Sequence, residues 1–195
     1  VELFGVFAPS ARVLLEAQEQ RIDSLERLLS IGYAGAQVSS ADFEGLTDIT
    51  RPVVIETQFS GNRWYQESSD RGRDVWLLEP LGGEFQFSSQ YAATTERVQP
   101  LWIGTSSTVE YRAQFDIPAN MELTDEQREW SVESEFGSFT MTVEEQPEYL
   151  VFEARFVIDA VSISPEQYPR FREFLQEVGR ANSRRFTVAE VGGGQ

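Results

Sequence analysis

The feature that most constrains this chain is a strict two-residue alternation of apolar and polar side chains in its second half. Over Thr108–Ile117, Val109, Tyr111, Ala113, Phe115 and Ile117 share one face, while Glu110, Arg112, Gln114 and Asp116 share the other. Phe139, Met141 and Val143 repeat the device against Ser138, Thr140, Thr142 and Glu144. Glu148–Ser162 extends it, with Leu150, Phe152, Ala154, Phe156, Ile158 and Ala160 set against Glu153, Arg155 and Asp159. Side chains alternate across a strand, so each run makes a surface with one dry and one wet face. Strands of that kind build antiparallel sheets that stack dry face to dry face.

The first half is more mixed. Residues 1–8 alternate loosely (Val1, Leu3, Phe4, Val6, Phe7) and predict a first strand. Pro9-Ser10 then reads as a helix start with Ser10 as the cap. Leu14, Ile22, Leu25, Leu28 and Leu29 share most of one helical face, with a break near Gln20 and a restart at Asp23. Gly32 and Gly35 end the helix. Pro52–Ser60 reads as a strand, and so do Arg73–Glu79 and Glu84–Ser88 on either side of Gly82-Gly83. Near the other end, Ser164-Pro165-Glu166-Gln167 carries a Ser cap, a first-turn Pro and a Gln three residues after the cap. Tyr168, Phe171, Leu175 and Val178 give that helix an apolar stripe, which fades at Gly179–Asn182. Phe186–Val188 reads as a short edge strand.

The expected architecture is mainly β: an antiparallel β-sandwich with two accessory helices at about 10–30 and 165–180. It forms one β-rich domain over 1–191, followed by a flexible glycine tail at 192–195. The chain starts at Val1 rather than Met and reads as a fragment of a larger protein. Its 195 residues suffice to fold without a disulfide or a metal.

Composition narrows the chemistry. There is no cysteine, histidine or lysine, and all 16 cations are arginine. That removes a thiol nucleophile, an imidazole base, the usual zinc ligands and Schiff-base catalysis. The net charge of −16 opposes nucleic acid, whose phosphates demand a basic surface. No apolar run approaches the ~20 residues of a membrane-spanning helix. No cofactor is expected.

Two kinds of candidate site remain. Glu133/Glu135, Glu144/Glu145, Asp125/Glu126 and Glu16/Glu19 are acidic neighbours. A carboxylate-dependent hydrolase would need two such acids across a cleft, one with a raised pKa. The bland alternative is solvated faces, expected in a chain with 32 acids. The second kind is aromatic: Trp64 and Tyr65 within Asn62-Arg63-Trp64-Tyr65, then Trp76, Trp102 and Trp130. Trp64, Tyr65 and Trp102 are the candidates for ligand stacking or interdomain contact, against the alternative that tryptophans of a β domain are buried.

Several landmarks follow one another in a familiar order. Arg21–Gly35 leads into an extended stretch, Pro52-Val53 opens a strand, and Arg97-Val98-Gln99-Pro100-Leu101 follows. Phe115-Asp116-Ile117-Pro118, Phe136-Gly137-Ser138-Phe139 and Pro165-Glu166-Gln167-Tyr168 complete the series. Across nearly the whole chain, this order resembles the C-terminal region of bacterial transglutaminase-like proteins, in which β-rich domains flank a papain-like core. The resemblance implies an exported, periplasmic or cell-envelope parent and a β-sandwich domain. It also implies a partner, the catalytic core upstream in the same chain. The family's catalytic Cys, His and Asp belong to that core, and no position here can receive its Cys or His.

The expected function is therefore a non-catalytic accessory domain that packs against, or presents substrate to, that core. Alternatives are a stand-alone carbohydrate- or peptide-binding module and a carboxylate-dependent hydrolase. With −16 charges opposing self-association, the isolated chain is expected to sediment as a monomer. A dimer that persists on dilution would contradict this.

Overall fold

The computed structural model describes residues 1–3, 7–61, 65–70, 73–81 and 87–191. Its largest element is a seven-stranded antiparallel sheet in the order β2-β3-β1-β7-β11-β10-β9. In chain order these are β1 (Glu2–Leu3), β2 (Gln37–Glu44), β3 (Val53–Ser60), β7 (Ser107–Asp116), β9 (Glu129–Ser134), β10 (Gly137–Gln146) and β11 (Tyr149–Ile158). A second sheet, in the order β4-β5-β13-β8, joins β4 (Tyr65–Asp70), β5 (Arg73–Leu78), β8 (Met121–Leu123) and β13 (Phe186–Glu190). A small ribbon pairs β6 (Leu101–Trp102) with β12 (Ser162–Ile163). The helices are α1 (Phe7–Leu14), α2 (Arg21–Gly32), α3 (Phe87–Tyr91) and α4 (Tyr168–Asn182).

The three alternating runs become the ten-residue strands β7, β10 and β11, and their register aligns the apolar faces. Val53 lies opposite Leu3, Leu3 opposite Val109, Val109 opposite Phe156, and Phe156 opposite Phe139, so one apolar row crosses five strands. On the other face, Arg155 pairs with Glu110 and Arg112 with Glu153, each at 3.0 Å. The dry face is covered from more than one side, and over Phe59 and Phe115 the cover is the ring of Tyr33, just after α2. Phe186 of β13 sets its ring edge-on to Phe152 (4.9 Å) and Trp130 (5.1 Å), which brings the four-stranded sheet onto the seven-stranded one. Alongside it, α4 contributes Phe174 near Phe156 and Phe171 edge-on to Phe136, and Phe87 of α3 stacks on Phe156 at 4.5 Å. One hydrophobic cluster runs from Ala8 to Val188. The architecture is the expected mainly-β, sandwich-like fold.

Helix α4 starts as its sequence dictates. The backbone N–H of Gln167 donates to Ser164 Oγ (3.3 Å), and that of Ser164 donates to Gln167 Oε1 (3.0 Å), a reciprocal cap. Tyr168, Phe171, Leu175 and Val178 are all buried, and so is Phe174.

Three local expectations are corrected and one is met with a small shift. The first strand stops at Leu3 and α1 already begins at Phe7, which places Ser10 inside the helix rather than at its cap (Phe4 and Val6 lie outside the described residues). The expected break is found: α1 ends at Leu14, a 3-10 turn spans Gln18–Gln20, and α2 restarts at Arg21, two residues before Asp23. Of the strand expected over Glu84–Ser88, residues 84–86 lie outside the described set, and Phe87 opens α3 because its ring turns inward onto Phe156. Phe186–Val188 is a strand but not an edge one, since β13 hydrogen-bonds β5 on one side and β8 on the other. Gly82-Gly83 and residues 192–195 also lie outside the described set.

The turn of the β9–β10 hairpin is tied to the residues just past β11. Phe136 is buried, and its carbonyl accepts from the N–H groups of Asp159 (2.9 Å) and Ala160 (3.3 Å). Gly137 follows with φ 153°, and a Cβ there would stand 2.0 Å from the Val157 carbonyl oxygen. Gly137→Ala is expected to destabilise the protein by about 2 kcal/mol or more, through strain at a backbone conformation closed to alanine. A shift of the urea midpoint checks it; an unchanged midpoint would show that the hairpin yields.

Candidate functional site

The acidic candidates are scattered, and those that come close together hold backbone. Asp125 Oδ2 accepts from the Thr187 N–H (2.7 Å), and Glu145 Oε1 accepts from the Leu123 N–H (2.8 Å). Between them, Arg128 donates to the carbonyls of Asp125 and Leu123 and pairs with Glu145 Oε2 at 3.4 Å. The group braces the 123–128 loop against β10 and β13. Glu126 and Glu144, the remaining halves of those candidate pairs, are exposed. Glu135 pairs with Arg170 (2.9 Å), Glu133 faces outward from β9, and Glu16 and Glu19 are exposed around the 3-10 turn.

A general acid needs its carboxyl pKa pushed up. The shifts here run the other way. Asp48 is held below the usual carboxylate value, first by the Thr50 hydroxyl and then by the Thr50 N–H and the charges of Arg51 and Arg12. Glu166 is lowered by the Ser164 hydroxyl. Among the described residues, no group of three or more acids is placed to hold a metal ion. No helix among them is long and apolar enough to cross a membrane.

The aromatic candidates have three fates. Trp130 is buried, edge-on to Phe186, with the Arg184 guanidinium 4.9 Å from its ring centre. Trp76 is half-buried and stacks on Tyr65 at 4.1 Å and 22°. Tyr65 donates its hydroxyl to Glu67 (3.2 Å), and burial first, then Glu67, raises the phenol pKa. Trp102, on the β6–β12 ribbon, is 72% exposed. Asn62, Arg63 and Trp64 lie outside the described residues. Tyr65 and Trp102 thus sit on different sheets, and Tyr65 already has a ring partner.

Two features escaped the sequence. The hydroxyls of Tyr33 and Tyr111, 3.0 Å apart, converge on the Pro80 carbonyl and fix the loop after β5 beneath α2 and β7. Arg97 lies 5.6 Å over the Tyr168 ring, with its Nε buried and without a hydrogen-bond partner. Both depend on contacts between residues dozens of positions apart, which leave no periodic trace.

Asp125→Ala and Glu145→Ala are each expected to lower stability by about 1–2 kcal/mol, because a backbone N–H loses its acceptor. Asp125→Asn, which keeps an acceptor oxygen, is expected to cost less. A catalytic pair would show the reverse, with unfolding midpoints unmoved by the alanine changes.

A family described as "Domain of Unknown Function with solved-structure structure (DUF3858)" matches residues 74–188, from β5 into β13. A search of curated proteins finds no match. Among solved structures, the chain is similar to a crystal structure from Parabacteroides distasonis ATCC 8503 described as a "putative protease". The two are 14% identical, with a TM-score of 0.44. The match covers 49% of this chain and 19% of that one, so this chain spans a small part of that protein's length. Since the family match takes in more than half of its residues, the chain belongs to the DUF3858 family.

Proposed function

We propose that this chain is a non-catalytic accessory domain of a bacterial transglutaminase-like protein of the cell envelope or periplasm. In this reading it packs against an upstream catalytic core or presents substrate to it. Residues 1–191 act as one unit. The observation that carries the reading is the chemistry available. The chain has no Cys, His or Lys, and the acids that come together, Asp125 and Glu145, are committed to holding backbone N–H groups around Arg128. Membership of DUF3858, commonly associated with transglutaminase-like proteins, supports the context.

The rival of a different class is a binding module acting alone, and the exposed Trp102 is the observation in its favour. A sugar platform usually presents several rings side by side. Here Trp130 is in the core and Trp76 is stacked on Tyr65.

A papain-type reaction proceeds through a thioester on a thiolate activated by imidazole, and this chain can form neither group. Incubated with a glutamine-donor peptide and a labelled amine, the purified chain is expected to transfer no acyl group. An amide and glycoside panel is expected to stay silent too. Turnover that survives repurification and vanishes on mutating one residue would overturn the reading.

A further inference from the structure

We propose that the corner where the β6–β12 ribbon meets the start of α4 is a protein-docking surface. Trp102 is its anchor and Arg97 its cation, and it receives a polypeptide segment that presents a carboxylate beside an apolar side chain. The inference rests on the accessory-domain reading and gives it a place on the molecule.

The first observation is apolar exposure repeated along a pinned segment. Val98 is 95% exposed, Trp102 72% and Val161 43%, and Pro100 is exposed between the first two. Single exposed apolar residues are ordinary on a protein surface. Here they follow one another along 98–102 and across the ribbon partner, where Trp102 lies opposite Ser162 and Leu101 opposite Ile163. The segment is held at both ends. Tyr168 donates its hydroxyl to the Thr94 carbonyl (2.8 Å), and the N–H groups of Ile103 and Gly104 donate to the Val161 carbonyl (2.9 and 3.1 Å). Ile103 and Ile163 are buried, so the ribbon rests on the core. An indole presented on a fixed backbone loses little freedom on binding, and tryptophan is the side chain most enriched where binding energy concentrates.

The second observation is charge. Arg97 is half-buried over Tyr168, its Nε is buried without a partner, and among the described residues no carboxylate pairs with it. Arg51, Arg112, Arg128, Arg155, Arg170 and Arg185 are ion-paired, whereas Arg97 shares its lack of a carboxylate with Arg172 and Arg184; what sets it apart is its place beside the exposed 98–102 segment. Glu166, at the same helix start, is bonded instead to the Ser164 hydroxyl at 2.6 Å. The Nε itself faces inward, but the two terminal nitrogens of a guanidinium held in place by an aromatic ring are matched by a carboxylate, which they can take through two parallel bonds. A second copy of this chain is a poor occupant, because it would bring another −16 charges to the contact.

The test selects a random linear-peptide library, displayed on phage, against the full chain. Synthetic copies of the enriched peptides are then titrated by fluorescence anisotropy. Enrichment of Asp or Glu next to a large apolar residue is expected. Trp102→Ala is expected to weaken binding at least about tenfold, with an unchanged thermal melt because the side chain is exposed. Arg97→Gln is expected to remove both the preference for Asp over Asn and the salt dependence. Arg97→Lys keeps the charge without the fork and serves if the Gln variant melts early. Absence of acid–apolar enrichment, or peptides that bind Trp102→Ala equally well, would overturn the proposal. So would Trp102-dependent binding of cello- or chito-oligosaccharides, or a Trp102-dependent dimer in sedimentation, since each gives the surface another occupant. Failure here leaves the lack of acyl transfer untouched, whereas turnover by the chain would sink the accessory reading without affecting Trp102-dependent peptide binding.

Discussion

The pairing of β7 with β11 fixes the positions of nearly everything else. Each is ten residues long, and the dry faces alone would tolerate a slip of two residues, which keeps every apolar side chain inward. The charges on the wet face do not tolerate it. In the observed register Glu110 meets Arg155 and Arg112 meets Glu153. A slip of two one way sets Glu110 against Glu153; the other way sets Arg112 against Arg155. Exposed pairs like these contribute little to stability, but like charges directly opposed are unfavourable, so the pairs act by excluding neighbouring registers. Once that register is set, Phe156 has Val109 on one side and Phe139 on the other, and Phe152 stands where Phe186 can reach it.

What could be read from the sequence follows from this. The central strands bury a full face, so their alternation is complete and their limits are legible to within a few residues. Strands β2, β4 and β9 lie at sheet edges and were not legible as strands. Tyr65–Asp70 is mostly Gln, Glu, Ser and Asp, and Gln37–Glu44 is largely exposed. Such strands form because a neighbour offers a row of backbone groups, and that neighbour is not local in sequence. Phe186–Val188 was legible as a strand but not as an interior one, because both its partners are distant. The exposed Trp102 and the buried Trp130 are alike as letters; only the ribbon under one and Phe186 against the other separate them.

The arginine-only composition also has a structural reading. Arg12 donates to the carbonyls of Gly45, Asp48 and Arg51 at 2.7–3.1 Å, and Arg128 gathers two carbonyls and a carboxylate. Arg184 lies over Trp130 and Arg97 over Tyr168. Multiple acceptors in a plane, and stacking on rings, suit a guanidinium and not an ammonium. Replacing such residues by lysine would keep the charge and lose the geometry. Arg97 and Arg184 share one arrangement, a ring beneath the guanidinium and, among the described residues, no carboxylate paired with it.

Both sheets are completed by strands from opposite ends of the sequence. β1 sits between β3 and β7, and β13 between β5 and β8. During synthesis on the ribosome, β4 and β5 can form their hairpin early, but β8 has no neighbour in its sheet until residues 186–190 have been made. Until then the rings of Phe152 and Trp130 lack the Phe186 side chain that covers them. A nascent chain of this design therefore holds those rings uncovered from the time they are made until Phe186 follows, and its yield in cells should respond to elongation speed over that stretch and to chaperones that shield apolar sheet faces.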